Sequence, residues 1–464
     1  MINPKKIHFE ISERKILLRV FDVFSALLVL YLIGNIFEFS YFNISSSNYY
    51  WTIVLAIYIN VFGSVFEMYN LQVASNQFQI IKSSILTVSL TVLVYLLTPF
   101  YTPELPKNRI QIVYFYLAVF FAIFIWRMFY LNFLASNRFS KKVILICDRE
   151  QVEELVLGLE NVDPHYKIIG YVNSDKNQNF DFHYNYIQNI DINNLENFVN
   201  TNSISEIVIA FQKTDGITTN LYNQLIHLLE SGFIIREYTQ VYESITQRIP
   251  VQYVARDFYR YFPFSRSNQN QLYLLIVKII EYIISIVGLS IGLILLPFIF
   301  LLNFFWNKGS LFYSQERVGK NGKVFRIYKF RTMVKNAETD KAIFATTNDL
   351  RITPFGKFLR KSRIDEFPQF INIIKGDMAV IGPRPERPIF VAEIANLMPF
   401  YETRHVIKPG LTGWAQVNYS YGESIEDSLI KLQYDLYYIK HRSIFLDINI
   451  MFKTFSTVLF YRGQ

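Results

Sequence analysis

Two adjacent carboxylates, Asp365 and Glu366, lie in the stretch RKSRIDEFPQFINIIKGDMAVIGPRPER, residues 360–387. Arg360, Lys361 and Arg363 come just before them, and Gly382-Pro383-Arg384-Pro385 follows. Nearby positive charge favours the ionised form of a carboxyl group. The spacing therefore predicts a pair of carboxylates that stay charged. Such a pair can hold a divalent metal and receive a polyanion. Mg2+ is commonly bound by one or two carboxylates together with substrate phosphates. Either carboxylate could instead act as a nucleophile, as in enzymes that form an aspartyl-phosphate. The plain alternative is a solvated Asp-Glu pair on a basic surface, and the pair alone does not decide between these readings.

The surrounding motifs carry more information. Upstream lie Gln315-Glu316-Arg317-Val318-Gly319 and Tyr328-Lys329-Phe330-Arg331-Thr332-Met333. Downstream lies Lys408-Pro409-Gly410-Leu411-Thr412-Gly413-Trp414-Ala415-Gln416-Val417. Together with the carboxylate stretch they resemble the bacterial sugar transferases, the polyprenyl-phosphate glycosyl-1-phosphate transferases, over about residues 272–464. The preceding chain resembles the N-terminal part of the large form of that family.

Composition agrees with a membrane setting. The chain has 464 residues, enough for more than one domain. It is 51% hydrophobic and 17% aromatic, which is rich for a soluble protein. Its single cysteine, Cys147, excludes an internal disulfide and argues against a cysteine-based metal site. A net charge of +8 suits a phosphate-bearing substrate or an anionic membrane surface. No nucleic-acid motif accompanies that charge, so nucleic acid is not an expected partner. The first apolar run is too long for a cleavable signal peptide and lacks a small-residue cleavage site.

These residues need elements to position them. Residues 1–140 read as a four-helix transmembrane region, with apolar stretches near 20–41, 50–69, 81–100 and 111–134. Each is close to the 20 or so residues that cross a bilayer core of roughly 30 Å. A set of buried core helices is the soluble alternative. Basic residues cluster before the first stretch, in the loop at Lys82, and after the fourth at Arg138, Lys141 and Lys142. The opposite loops hold only Lys107 and Arg109. The positive-inside rule then places the N-terminus and the chain near residue 140 in the cytoplasm.

Residues 141–240 read as a Rossmann-like α/β domain, with strands at 142–147, 166–172, 206–211 and 233–238 and helices at 150–160 and 221–231. A dinucleotide site would need a glycine-rich turn after the first strand. The turn here is Cys147-Asp148-Arg149-Glu150-Gln151, so a structural or regulatory module is the preferred reading. His165 and His183 are isolated and read as surface or core histidines. Residues 241–271 read as a polar, aromatic connector.

Residues 272–464 form the expected catalytic domain. It opens with an apolar segment at 272–306 that carries Pro297 in its interior, where proline removes a backbone hydrogen bond and kinks or breaks a helix. Basic residues flank it on both sides. It is therefore expected to enter the membrane and turn back, which keeps Asp365 and Glu366 on the cytoplasmic side. The resemblance implies the same re-entrant helix. Many members have serine before that proline, where this chain has Leu296. A strand at 325–328, a basic helix from Pro354 through Arg363, and helices at 369–374, 388–400 and 424–440 are expected to follow. The tail at 444–460 reads as an interfacial or core helix.

The resemblance implies a reaction. Asp365 would attack the sugar-bearing phosphate of a UDP-sugar, release UMP and carry the phosphosugar. Polyprenyl (undecaprenyl) phosphate would then displace Asp365. Glu366 would bind Mg2+ with Asp365 or assist the exchange. Arg360 and Arg384 are the first choices for phosphate binding, because a guanidinium binds phosphate oxygens bidentately. Structural ion pairs are the alternative for each. Lys329 and Arg331 are further candidates, and Trp414 and Gln416 are candidates to line the sugar or uridine pocket. Asp377 reads as a helix-end residue and His405 as structural. The Asn-Gly-Arg that many members carry after Val417 is replaced by Asn418-Tyr419-Ser420-Tyr421-Gly422, which removes an arginine and bears on sugar preference.

The expected setting is the bacterial inner membrane, with the catalytic domain facing the cytoplasm, at the first membrane step of exopolysaccharide, capsule or O-antigen synthesis. Expected partners are the UDP-sugar, polyprenyl phosphate and the lipid bilayer. A homodimer and contact with later polysaccharide-pathway enzymes are hypotheses for the four-helix region. Two other readings compete: a catalytically weak membrane scaffold or regulator, and a conventional glycosyltransferase that releases UDP.

Overall fold

The computed structural model describes residues 11–36, 39, 41, 42, 44, 47–134, 140–160, 163, 166–173, 187–210, 218–251, 270–307, 309–334, 349–398, 400–419 and 425–459. The chain forms two compact units that meet in sequence between Gln247 and Arg248.

The first unit begins with four apolar helices: α1 (Ile11–Ile36), α2 (Tyr49–Val65), α3 (Gln77–Leu96) and α4 (Ile110–Phe129). Helices α1, α3 and α4 are long and apolar enough to cross a membrane. Helix α2 has 17 residues, about 26 Å at 1.5 Å per residue, a little short of a full crossing. Leu55, Ile59, Val88, Val92, Phe115 and Val119 fill the space between them.

Helix α1 starts about ten residues earlier than the apolar pattern predicts, and so takes in Arg14, Lys15 and Arg19. The bundle also holds a buried ion pair that the pattern does not reveal. Asp22 on α1 is fully buried and accepts from Arg127 on α4, Nε to Oδ1 at 2.9 Å, with a second bond from Nη2 to Oδ2. Arg127 Nη1 also donates to the Met68 carbonyl at 2.6 Å. The Arg19 guanidinium stacks over the Tyr69 ring at 4.3 Å. The Asp22 charge is thus matched inside the bundle.

An α/β domain follows. Strands β1 (Lys141–Cys147), β2 (Tyr166–Asn173), β3 (Gln188–Asn189), β4 (Glu206–Ala210) and β5 (Ile234–Glu237) form one parallel sheet in the order β3-β2-β1-β4-β5. Helices α5 (Val152–Glu160), α6 (Leu195–Thr201), α7 (Thr219–Glu230) and α8 (Tyr238–Thr246) complete it. Gly232, at φ 82°, ends the turn after α7. The expected connector differs at its start, because Tyr238–Thr246 is a helix with Tyr238, Val241 and Tyr242 buried. Cys147 is buried at the end of β1, and burial pushes its thiol up to about 12, so it is an inert core group. His165 and His183 lie outside the described residues.

The second unit begins with Arg248–Val251, whose Ile249 and Val251 enter its core. Helix α9 (Gln271–Trp306) is one continuous helical run through Pro297. The chain therefore does not break there. Ser285, Gly288, Ile299 and Asn303 keep one buried face on both sides of the proline, while most other apolar side chains of α9 are exposed.

Both ends of α9 are fixed to the same unit. Tyr273 donates to Asp447 at 2.6 Å near its start. Beyond its end, Asn307 donates from Nδ2 to the Arg331 carbonyl at 3.0 Å. Between them, Gly288 lies so near the Phe370 ring that a Cβ there would come within 2.3 Å of it. A helix held at its start, middle and end by one unit cannot set parts of that unit on opposite sides of a membrane. This supports entry and return over a spanning helix, without the expected break at Pro297.

The antiparallel hairpin β6 (Phe312–Val318) and β7 (Val324–Phe330) follows. Then come α10 (Pro354–Lys361), a 3₁₀ segment at Ile364–Gln369, α11 (Phe370–Lys375), β8 (Ala379–Ile381) and α12 (Pro388–Leu397). Strand β9 (Gly410–Thr412), α13 (Trp414–Asn418), α14 (Ile425–His441) and α15 (Ile444–Leu459) end the unit. Strands β8 and β9 pair in parallel. Their backbones cross so closely that a Cβ on Gly410 would lie 2.1 Å from the Gly382 nitrogen, which only glycine permits.

The Asp22–Arg127 pair gives a direct test of the bundle. Asp22→Ala leaves a buried guanidinium unpaired, which costs about 3–5 kcal/mol. The melting temperature in detergent is expected to fall for Asp22→Ala and to recover largely in Asp22→Ala/Arg127→Leu. An unchanged melting temperature for the single variant would contradict this role.

Candidate active site

Helix α10 begins at Thr353, whose hydroxyl accepts from the Gly356 N–H at 2.9 Å, with Pro354 at the first helical position. It ends sooner than the basic run predicts. Arg363 takes φ 58°, a left-handed conformation that costs a non-glycine residue about 1–2 kcal/mol. This residue turns the chain out of α10 and starts the 3₁₀ segment. Asp365 and Glu366 stand in the first turn of that segment, and both are buried.

Three cations converge on one carboxylate oxygen. Glu366 Oε1 lies 3.3 Å from Lys329 Nζ, 3.3 Å from Arg384 Nη2 and 3.5 Å from Arg363 Nη1. Burial alone would raise the Glu366 pKa, but Lys329, Arg384 and Arg363 outweigh it and hold the group below its ordinary range. Lys329 shifts down from the ordinary lysine value, because burial costs more than Glu366 returns.

Asp365 differs from its neighbour. Among the described residues its Oδ1 is buried and accepts no hydrogen bond. Burial, then the charge on Glu366, raise its pKa, and Lys329, Arg360 and Arg363 offset only part of that. The two carboxylates, expected to stay charged, thus sit in different surroundings. Glu366 is the fixed anion, and Asp365 is the high-energy acceptor beside it.

The other predicted residues divide into two groups. Lys329, Arg360 and Arg384 are at the site. Arg360 donates from Nε to the Thr332 hydroxyl at 2.9 Å and acts electrostatically on Asp365. Arg384, with its side chain 40% exposed, combines an ion pair to Glu366 with access from solvent. Arg331 serves instead to end α9. It is buried, donates from Nη2 to the Asn307 carbonyl at 2.8 Å and lies against Gly309. Trp414 is 1% exposed, stacks on Tyr437 and receives Lys453 over its ring, so it is a core residue rather than a pocket wall. Gln416 lies in the short helix α13 and donates to the Leu411 carbonyl at 3.4 Å. Asp377 follows the α11 terminus at Gly376. Burial and Arg404 push His405 down to about 4, so it is a neutral imidazole.

Several supporting residues were not predicted. Arg404 is buried, pairs with Asp435 at 2.8 Å and donates to the Arg384 carbonyl at 2.9 Å, which fixes the backbone of the Pro383-Arg384-Pro385 segment. Arg317 donates to the Pro385 carbonyl at 3.1 Å. Glu281 on α9 accepts from the Val380 N–H at 3.2 Å. Their only sequence signal is a charge inside an otherwise apolar or motif-rich stretch.

An orphaned, buried carboxylate oxygen fits a divalent cation. Among the described residues no group of three or more acidic, histidine or cysteine side chains is placed to cage a metal. Any metal here would therefore share its ligands between Asp365, with or without Glu366, and a bound phosphate.

Residues 272–461 match the family model of bacterial sugar transferases, and residues 64–225 match a CoA-binding domain model. The chain is 50% identical over 151 residues to the UDP-N-acetylgalactosamine-undecaprenyl-phosphate N-acetylgalactosaminephosphotransferase of Aeromonas hydrophila, a match covering 32% of this chain and 36% of that protein. It is 42% identical over 149 residues to the UDP-glucose:undecaprenyl-phosphate glucose-1-phosphate transferase of Escherichia coli (strain K12), covering 32% of each. Both matches span about a third of those relatives. A match to the uncharacterized sugar transferase EpsL of Bacillus subtilis (strain 168) is 38% identical over 157 residues and covers 33% of this chain but 72% of that protein. The carboxylate site described above lies within the matched segment, and the chain belongs to the bacterial sugar transferase family.

Proposed function

We propose that this protein transfers a hexose-1-phosphate from a UDP-sugar to polyprenyl (undecaprenyl) phosphate and releases UMP. The observation that carries this reading is the buried Asp365 Oδ1, without a partner among the described residues, beside a carboxylate already bound by three cations. Relatives named as undecaprenyl-phosphate sugar phosphotransferases support the substrate classes.

In the first step an Asp365 oxygen attacks the phosphorus that bears the sugar. The phosphoanhydride bond breaks and its electron pair leaves with UMP. In the second step an oxygen of polyprenyl phosphate attacks the same phosphorus. The Asp365–phosphorus bond breaks, which regenerates the carboxylate and gives the polyprenyl diphosphate sugar. Phosphoryl transfer depends mainly on positioning and on neutralising charge. Arg384 and Arg360 supply directed donors to the diphosphate, while Lys329 and Arg363 hold Glu366 in place. Mg2+, bound by Asp365 with or without Glu366 and the diphosphate, would neutralise charge on the leaving group.

The long apolar α9 with both ends on the catalytic unit suits a lipid-borne acceptor. Its flanking cations and the positive-inside pattern favour a cytoplasmic face at the inner membrane. For the α/β domain we favour a structural or regulatory role, because the turn after β1 offers Asp148 and no glycine to an approaching phosphate. A scaffold with a degenerate site remains the second reading. A core that keeps four cations around two buried carboxylates argues against it.

Three outcomes test the proposal. Incubation with polyprenyl phosphate, Mg2+ and a panel of UDP-sugars is expected to yield UMP, with turnover lost in Asp365→Asn. Release of UDP would overturn the mechanism, and a well-folded sample that yields neither nucleotide across the panel would favour the scaffold reading. Chelating divalent ions is expected to stop turnover, and Mg2+ to restore it; unimpaired turnover in chelator would remove the metal from the proposal. The pH profile follows from the raised Asp365 pKa. The nucleophile is lost as pH falls through that value, so the acid limb is expected above the ordinary aspartate value of about 3.9. Lys329→Met removes a cation that lowers the Asp365 pKa, so it is expected to move the limb to higher pH. A limb that stays put or moves down would contradict this electrostatic account.

A further inference from the structure

Helix α11 reads Phe370-Ile371-Asn372-Ile373-Ile374-Lys375, with one polar side chain inside an apolar run. Asn372 has no exposed surface. It does not serve its own helix. Its Nδ2 donates to the Arg326 carbonyl at 2.8 Å, and its Oδ1 accepts from the Tyr328 N–H at 3.2 Å. A longer contact of 3.5 Å joins Nδ2 to Asp377 Oδ2.

Among the described residues, strand β7 pairs with β6 along one edge only. On its other edge the outward-facing backbone groups of residues 326 and 328 meet this one carboxamide. The amide carries a donor and an acceptor in the arrangement of a peptide group, and so it takes the place of a third strand for one pair of hydrogen bonds. Glutamine, the other carboxamide side chain, is one methylene longer.

The next residue on β7 is Lys329, whose Nζ meets Glu366 Oε1 at 3.3 Å. Asn372 lies six residues after Glu366, on the helix that continues the carboxylate segment. The same side chain therefore fixes the strand carrying the lysine against the helix continuing from the glutamate. Resting on the reaction proposed above, we infer that Asn372 is a positioning residue that sets the Lys329–Glu366 contact by acting as a surrogate strand on the free edge of β7. It touches neither substrate nor the reacting carboxylate and works through Lys329.

Two measurements on the full-length protein test this. The first does not use activity. Lysines are labelled with acetic anhydride and read by mass spectrometry, with the exposed Lys357 as internal reference. Asn372→Leu, which removes both hydrogen bonds, is expected to raise the labelling rate of Lys329 several-fold while Lys357 is unchanged. Asn372→Asp keeps the acceptor for Tyr328 and is expected to give a smaller rise, which covers the case in which Asn372→Leu fails to fold. Unchanged labelling of Lys329 in a folded variant would overturn the inference.

The second measurement is a double-mutant cycle. Asn372→Leu is expected to lower kcat by on the order of 10–100-fold, as a small misplacement does, with little change in the KM for the donor. On a Lys329→Met background the same substitution is expected to cost almost nothing further, because the two act as one unit. Full additivity would reduce Asn372 to a structural role. If the wild-type protein releases no UMP, the proposed reaction fails, and the labelling result still decides for or against Asn372.

Discussion

Glu366 Oε1 accepts three cations from three separate parts of the chain, and the rest of the catalytic unit depends on that convergence. Lys329 comes from an edge strand, Arg363 from a strained turn between two helices, and Arg384 from a proline-flanked loop. Each cation alone would be a weak partner at a surface, where such pairs contribute about 0–1 kcal/mol. Burial changes the balance, because a buried carboxylate must be paired or give up its charge. Glu366 keeps its charge, and that charge falls on Asp365 one residue away. The outcome is a buried acceptor oxygen with no donor among the described residues. In the proposed reaction this asymmetry assigns the two carboxylates different work before substrate arrives.

Holding three distant segments to within a few tenths of an ångström needs rigid supports, and the structure supplies one for each cation. The Asn372 carboxamide fixes β7. The left-handed Arg363 is held by hydrogen bonds from its own N–H to the Arg360 carbonyl at 3.1 Å and from the Glu366 N–H to its carbonyl at 3.2 Å. The Arg384 backbone is held by Arg404, itself paired with Asp435 in the core, and by the close crossing of Gly382 with Gly410. Helix α9 lies against this frame, with Gly292 facing Phe367 and Gly288 facing Phe370, so the apolar segment touches the two aromatic residues that follow the carboxylates. A lipid acceptor reaching the site from α9 would arrive beside Asp365.

Much of this architecture is legible in the sequence because it rests on periodicity and on local chemistry. The four apolar helices, the parallel strands with their β-branched runs and the helix start at Pro354 all announce themselves. So do the carboxylate pair and two of its cations, Lys329 and Arg384. What the sequence hides depends on contacts between distant residues. Asp22 and Arg127 are 105 residues apart, and nothing local says that they cancel each other inside the bundle. Trp414 and Arg331 sit in motif-like stretches and were natural candidates for substrate contact, yet Trp414 packs in the core and Arg331 ends a helix. Residue type and spacing suggest chemistry there, but only burial tells a binding arginine from a structural one. The unequal surroundings of Asp365 and Glu366 were likewise hidden, because they follow from which of two neighbours the cations reach.

The most direct test is to look for the covalent intermediate itself. The purified protein is mixed with a UDP-sugar and Mg2+ without any polyprenyl phosphate, quenched, and examined by intact-mass and peptide mass spectrometry. The account predicts an added hexose phosphate on the peptide containing residues 364–369, located on Asp365 and removed when polyprenyl phosphate is supplied. An adduct on Glu366, or UMP-releasing turnover through direct displacement with no adduct on either carboxylate, would contradict it.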